Sequence, residues 1–151
     1  MIRTEAEYRQ TVKRCGEQAE RIESERARLK ADGRKKREID RALAAVKTMH
    51  SQLQEEIDEY ERLKRGEFDT SAEFQNLGGM GVLLIRLRIA SGLTQRELAD
   101  RLGVDDSQVS RDERNEYHGI TMDRANKILD ALGVDVTSCV RSLGPRKVFV
   151  R

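Results

Sequence analysis

The 151-residue chain has no tryptophan, one proline, three phenylalanines and three tyrosines. With aromatics at 4%, an all-β sandwich or barrel is disfavoured, since such folds draw on aromatic and β-branched strands and frequent turns. No apolar run approaches the roughly 18 residues that a membrane helix needs, and the N-terminus lacks the apolar core of a secretion signal. A cytoplasmic protein is the expectation. The two cysteines, Cys15 and Cys139, sit in no CxxC or Cys/His cluster, so neither a disulfide framework nor a zinc site is indicated. Each reads as a small packing residue. A large excess of either charge is also missing: 29 Lys/Arg stand against 27 Asp/Glu. That excludes a strongly basic wrapper of nucleic acid while leaving room for a local basic surface.

What is abundant is charge itself, at 37% of residues, arranged with helical periods. Residues 1–76 carry 17 basic and 17 acidic side chains, and residues 77–151 carry 12 and 10. In the first half Tyr8, Val12, Cys15, Ala19, Ile22, Arg26 and Leu29 recur by fours and threes, a heptad seam with one lapse at Arg26. Thr4 and Glu7 form a capping box at its start. Gly33 interrupts the pattern beside the basic run Arg34–Arg37, which reads as a solvated tip in preference to a phosphate site. A second seam follows through Ile39, Leu43, Val46, His50, Leu53, Ile57 and Tyr60. Two helices of similar length, about 42–46 Å each, joined by a short linker fold back antiparallel. This predicts Leu29 opposite Ile39 and Tyr8 opposite Tyr60. His50 reads as a packed or partner-bonded histidine, since no further ligand completes a metal site. A lone hairpin buries one stripe of each helix and needs a further surface to lean on, the second half of the chain, a copy of itself or another protein, so residues 1–66 are expected to serve dimerisation or another interaction.

Residues 67–81 read as a linker. Thr70 and Glu73 offer a capping box for a short helix anchored by Phe68, Phe74 and Leu77, and Gly78-Gly79-Met80-Gly81 is the expected hinge. No strand precedes these glycines and no Gly-Lys-Ser/Thr follows, which argues against a phosphate loop. The apolar run Val82–Ile89 then opens a helix. Thr94 and Glu97 make a capping box for Gln95–Leu102, and Gly103 stops that helix with a left-handed turn. Asp105 caps Asp106–Arg114, with Gln108 placed to complete another box. Two short helices joined by a glycine-containing turn make a helix-turn-helix, whose second helix can enter a major groove. Ala99 must be small where the helices cross, and Leu98, Leu102, Val104 and Val109 close the core between them.

The string Arg88, Gly92-Leu93-Thr94-Gln95, Glu97-Leu98-Ala99, Leu102-Gly103-Val104, Ser107, Val109-Ser110-Arg111 and Glu113 resembles the phage-repressor (Xre-type) helix-turn-helix family. Thr121–Val134 resembles that family's later helix ending in Leu-Gly-Val. The resemblance covers residues 82–136 and implies an all-α fold: an N-terminal antiparallel, coiled-coil-like hairpin followed by a lambda-repressor-like domain of four to five helices. It implies that Gln95 bonds phosphate or the edge of the site, and that Asp106, Ser107 and Arg111 face bases with Gln108 and Ser110 nearby. Arg111 suits guanine O6/N7 and Asp106 can accept from cytosine N4. Arg88 and Glu113 fall where the family forms a buried structural ion pair. Further phosphate contacts are assigned to Arg96, Arg101, Arg114, Arg124 and Lys127. Two features depart from the family pattern. Asp112 stands where an apolar residue is usual, and the segment Asp105–Arg114 carries four acids against two bases, awkward beside phosphates. In the loop Asn115–Ile120, Tyr117 or His118 either reaches phosphate or covers the core, the second being favoured.

The hairpin carries a weaker resemblance. Thr4-Glu5-Ala6-Glu7-Tyr8 and Glu59-Tyr60-Glu61 ahead of a helix-turn-helix look like the HigA-type antitoxins. The expected function is therefore a sequence-specific transcriptional regulator, a homodimer on an inverted-repeat operator in double-stranded DNA. It acts either as a plain repressor or as an antitoxin that also binds a small basic toxin. The alternative is a protein-interaction module whose helix-turn-helix does not read DNA. No paired carboxylates, nucleophile–base set or metal cluster suggests an enzyme, and no cofactor is expected. Residues 137–151 form a tail in which Lys147–Val150 is either a short strand or unstructured.

Overall fold

A computed structural model describes residues 1–68 and 79–137, and every regular element among them is helical. In chain order these are α1 (Glu5–Ala31), α2 (Lys36–Lys64), α3 (Met80–Ala90), α4 (Gln95–Leu102), α5 (Asp106–Arg114) and α6 (Met122–Leu132). The capping box expected at Thr70–Glu73, with Phe74 and Leu77, lies outside the described residues, as do Gly78, Cys139 and the tail segment Lys147–Val150. No described helix is long and apolar enough to cross a membrane.

The hairpin forms in the expected register. Thr4 accepts from the Glu7 backbone N–H while the Glu7 carboxylate accepts from the Thr4 backbone, closing the capping box that starts α1. At the base, Tyr8 stacks on Tyr60 with ring centroids 5.2 Å apart, and the Tyr8 hydroxyl donates to Glu61 at 2.6 Å. Midway, Cys15 is buried with its Sγ 3.5 Å from His50 Nδ1. At the tip, Ile22, Ile39 and Leu43 cluster with Leu29 packed against them. Two seam positions depart from expectation: Val12 and Val46 are 41% and 37% exposed. With only one partner helix to pack against, side chains at the edge of each apolar stripe stay in solvent.

The base of the hairpin shares its core with the C-terminal helices. Ile57, Tyr60 and Leu63 of α2, together with Ile2, belong to one buried cluster with Leu84 and Ile85 of α3, Leu98 and Ala99 of α4, Val109 of α5 and Ile128 of α6. Polar contacts reinforce this junction. Arg86 Nη2 pairs with Glu59 Oε1 at 2.6 Å, and the Arg86 guanidinium lies 5.7 Å from the Phe68 ring centre. The second half of the chain is thus a surface on which the base of the hairpin leans.

Gly81 corrects the hinge expectation in the same region. It lies buried inside α3, which begins at Met80 and so two residues before the apolar run. A Cβ at Gly81 would sit 1.8 Å from the Glu116 carbonyl oxygen and 3.2 Å from Tyr117 Cβ. Glycine is needed here for close backbone approach. The loop that presses on it is itself unusual: Glu116 and Tyr117 have φ of 49° and 52°, left-handed values that side chains rarely adopt. Tyr117 is buried, covering the core, while His118 is exposed. Burial and the neighbouring Glu113 carboxylate push the Tyr117 hydroxyl pKa well up.

Candidate nucleic-acid interface

The helix-turn-helix is built by local signals that act as expected. Thr94 accepts from Glu97 N at 3.2 Å and Glu97 accepts from Thr94 N at 2.7 Å, closing the box that starts α4. These backbone and hydroxyl donors hold the Glu97 carboxyl below its ordinary pKa. Gly103 ends α4 at φ 66°, and Val104 N returns to the Ala99 carbonyl at 3.0 Å. Leu98, Ala99 and Val109 are buried where α4 and α5 cross. Asp105 caps α5 by accepting from Ser107 N at 2.9 Å. The capping box expected there is not made, since Gln108 N donates to the Asp105 carbonyl at 3.0 Å and not to its side chain. With its amide oxygen turned toward α6, Gln108 instead accepts from Arg124 at 3.1 Å.

A buried ion pair fixes the recognition helix α5 against α3. Arg88 and Glu113 are 3% and 0% exposed. Arg88 Nε donates to Glu113 Oε1 at 2.5 Å and Nη2 donates to Oε2 at 2.8 Å, a bidentate pair. The remaining donors are also used: Arg88 Nη1 reaches the Leu93 carbonyl at 2.6 Å, and Nη2 the Arg3 carbonyl at 2.9 Å. Gln95, expected to bond phosphate, donates its Nε2 to Glu113 Oε2 at 2.8 Å. One buried carboxylate therefore gathers α3, α4 and α5, and through Arg3 the start of the hairpin.

Asp112, the departure from the family pattern, has a partner that the sequence reading did not foresee. Arg124 Nη2 of α6 donates to Asp112 Oδ2 at 2.5 Å, with both side chains about one-third exposed. An ion pair thus stands where apolar packing is usual. Arg124 is thereby drawn from the phosphate-contacting set into a structural role. Lys127 pairs with Asp123 at 3.0 Å, and Arg101 donates to the Ala131 carbonyl at 2.8 Å. Arg96, Arg111 and Arg114 are exposed and have no carboxylate partner among the described residues. Arg111 Nε donates only to the Ser107 carbonyl of its own helix, at 3.2 Å.

Once Glu113 is matched by Arg88 and Asp112 by Arg124, the exposed charges of α5 are Asp106, Arg111 and Arg114. Asp106 and Ser107 are exposed at its start, and Ser110 is half-buried one turn on. These three, with Gln95 and Arg96, line a cleft of about 690 Å³. Gln108, Arg111 and Arg114 lie outside that cleft. Its opposite wall comes from the hairpin base: Arg3, Thr4, Glu5, Tyr60 and Lys64. None of these residues is part of the site read from the sequence. They reach it from the far N-terminal region, and no local motif marks them.

An exposed short helix, capped at its start, crossing the helix before it and anchored by a buried ion pair to α3, is the second helix of a helix-turn-helix. A family model described as helix-turn-helix matches residues 84–138, the part of the chain that contains α3 to α6. No curated protein and no solved structure matches the chain.

Proposed function

We propose that the protein is a sequence-specific DNA-binding transcriptional regulator that lays the start of α5 in the major groove. The carrying observation is the neutralisation within Asp105–Arg114: Arg88 and Arg124 take up Glu113 and Asp112, leaving Asp105 and Asp106 against Arg111 and Arg114. This cancels the net negative charge behind the electrostatic objection to an acidic recognition helix. It supports a DNA-reading role over that of a helix-turn-helix serving only as a protein-interaction module. Ser107, Ser110 and Arg111 are the base-reading candidates, with Gln108 set back against Arg124; Arg96 and Arg114 supply phosphate contacts. The test is a gel shift on the region upstream of its own reading frame at two salt concentrations. A specific shift lost in Arg111→Ala is expected, and no shift at low salt ends the proposal.

The protein acts in this reading as a dimeric repressor on an inverted repeat, because a single short helix touches too few bases and two-fold symmetry doubles the contacts. Sedimentation of the full chain with and without operator duplex tests the dimer. An antitoxin role is the finer version, supported by the exposed Val46 and Met49 on the outer half of the hairpin, where a small basic toxin can dock. Co-purification with the product of a neighbouring reading frame tests it.

A further inference from the structure

We propose that the base of the hairpin is a second DNA-contacting element. In this inference the cleft between hairpin and α4–α5 receives the sugar–phosphate strand that borders the groove read by α5. It rests on the DNA-binding reading above and extends it to residues outside the helix-turn-helix.

Three observations carry it. First, the cleft joins both walls at the reading face: Asp106, Ser107 and Ser110 of the recognition helix line the same space as Tyr60 and Lys64 of α2. A duplex seated on the Asp106–Ser107–Ser110 face of α5 therefore borders the hairpin wall. Second, cations stand on both walls, with Arg96 on the α4 side and Arg3 and Lys64 on the hairpin side. These three cations outnumber the two exposed carboxylates of the lining, Glu5 and Asp106, and a strand carrying one negative charge per nucleotide is a ligand that cations on two walls can grip. Third, the hairpin wall is held in place. The Arg3 carbonyl accepts from Arg88, Glu59 pairs with Arg86, and Tyr60 and Leu63 are buried in the common core. A rigid wall presents its charges without ordering cost on binding.

Lys64 is the centre of the inference, and Glu5 is its gate. Lys64 Nζ donates to Glu5 Oε2 at 2.8 Å, both side chains being about half exposed. An arriving phosphate competes with Glu5 for the same ammonium group, and the freed carboxylate then opposes the strand. The two partners of this one ion pair should thus affect DNA binding with opposite signs. If the pair merely stabilised the hairpin, removing either partner would break the same bond and act in the same direction.

The experiment measures binding of the full chain to an upstream-region duplex and to a random-sequence duplex by fluorescence anisotropy over a salt series. Wild type, Lys64→Gln and Glu5→Gln are compared after circular dichroism melts show all three folded. Lys64→Gln should weaken binding to both duplexes by about fivefold and reduce the salt slope by about 0.9, one phosphate contact. Glu5→Gln should tighten binding by about twofold. Wild-type binding with unchanged slopes in both variants, or with both variants shifted the same way, overturns this inference alone. Failure of wild type to bind either duplex at low salt overturns the DNA-binding reading as well. Thermal stabilisation by inorganic phosphate that Lys64→Gln abolishes, with slopes unchanged, would assign the cleft to a small anion and overturn it too.

Discussion

The two ends of the hairpin have the same sequence period and different surroundings. At the base, α1 and α2 lean on α3, and Ile2, Ile57, Tyr60 and Leu63 join a core that runs through to α6. At the tip, Ile22, Ile39 and Leu43 with Leu29 form a separate small cluster, and Met49 nearby is 59% exposed. Heptad spacing brings two helices together wherever it occurs. A third element decides whether the pair is buried or merely paired. The base is therefore built as part of the helix-turn-helix, and the tip as a projecting arm.

The sharpest way to break this contrast is Arg88→Ala. The residue holds the Glu113 carboxylate, the Leu93 carbonyl and the Arg3 carbonyl together. Its loss leaves Glu113 buried and unpaired, so about 3–5 kcal/mol of stability should disappear in urea denaturation. A cost near zero would mean that the junction does not depend on this pair. Next comes a matched pair of truncations. Ile85→Ala in the shared core should cost about 2–5 kcal/mol and lower the global melting temperature. Leu43→Ala should instead speed amide hydrogen exchange within the tip while protection in α3 to α6 holds. Equal loss of global stability in both variants would show that base and tip unfold as one unit.

Gly81→Ala should cost about 1–3 kcal/mol, because its Cβ meets the Glu116 carbonyl oxygen at 1.8 Å. A hinge glycine would accept alanine with little effect, so thermal denaturation separates the two roles. Arg124→Ala should cost about 1 kcal/mol, since its pair with Asp112 is partly solvated. It should also weaken DNA binding by returning a free negative charge to α5. Unchanged affinity in an anisotropy titration would count against that electrostatic role.

The smallest effect is a pH difference between base and tip. Lys64 holds the Glu5 carboxyl below its ordinary value of 4.5 and Lys47 holds Asp40 below 3.8. Both stabilising contributions are complete above those ordinary values and fade as pH falls through the lower folded ones. Glu5–Lys64 links α1 to α2, whereas Asp40–Lys47 lies within α2. Acid should therefore break a direct ion pair between helices at the base, whereas at the tip it removes only the weaker attraction of Arg26 for Asp40 across the helices. Carboxyl chemical shifts and amide protection followed across this range check it.

Much of this architecture was legible in short stretches of sequence. Thr4 with Glu7 and Thr94 with Glu97 are capping boxes that can be read within four residues. Gly103 announces a left-handed turn, and the two seams set Tyr8 against Tyr60. The fate of polar side chains at the site was less legible. Gln95 turns to Glu113, Gln108 turns to Arg124, and Arg124 itself is spent on Asp112. Each choice depends on which helix lies across the way, and nothing in the local pattern states that.

The sequence alone determined where α1, α4 and α5 start, that the first two helices pair antiparallel, and that a helix-turn-helix follows, because caps, periods and turns are governed by neighbours a few positions apart. Only the tertiary structure decided that the hairpin base merges with the helix-turn-helix, that Gly81 is a contact and not a hinge, and that Asp112 of α5 is answered from α6. The physical reason is common to all three. Burial, close backbone approach and ion pairing depend on which surfaces meet, and here those surfaces come from distant parts of the chain.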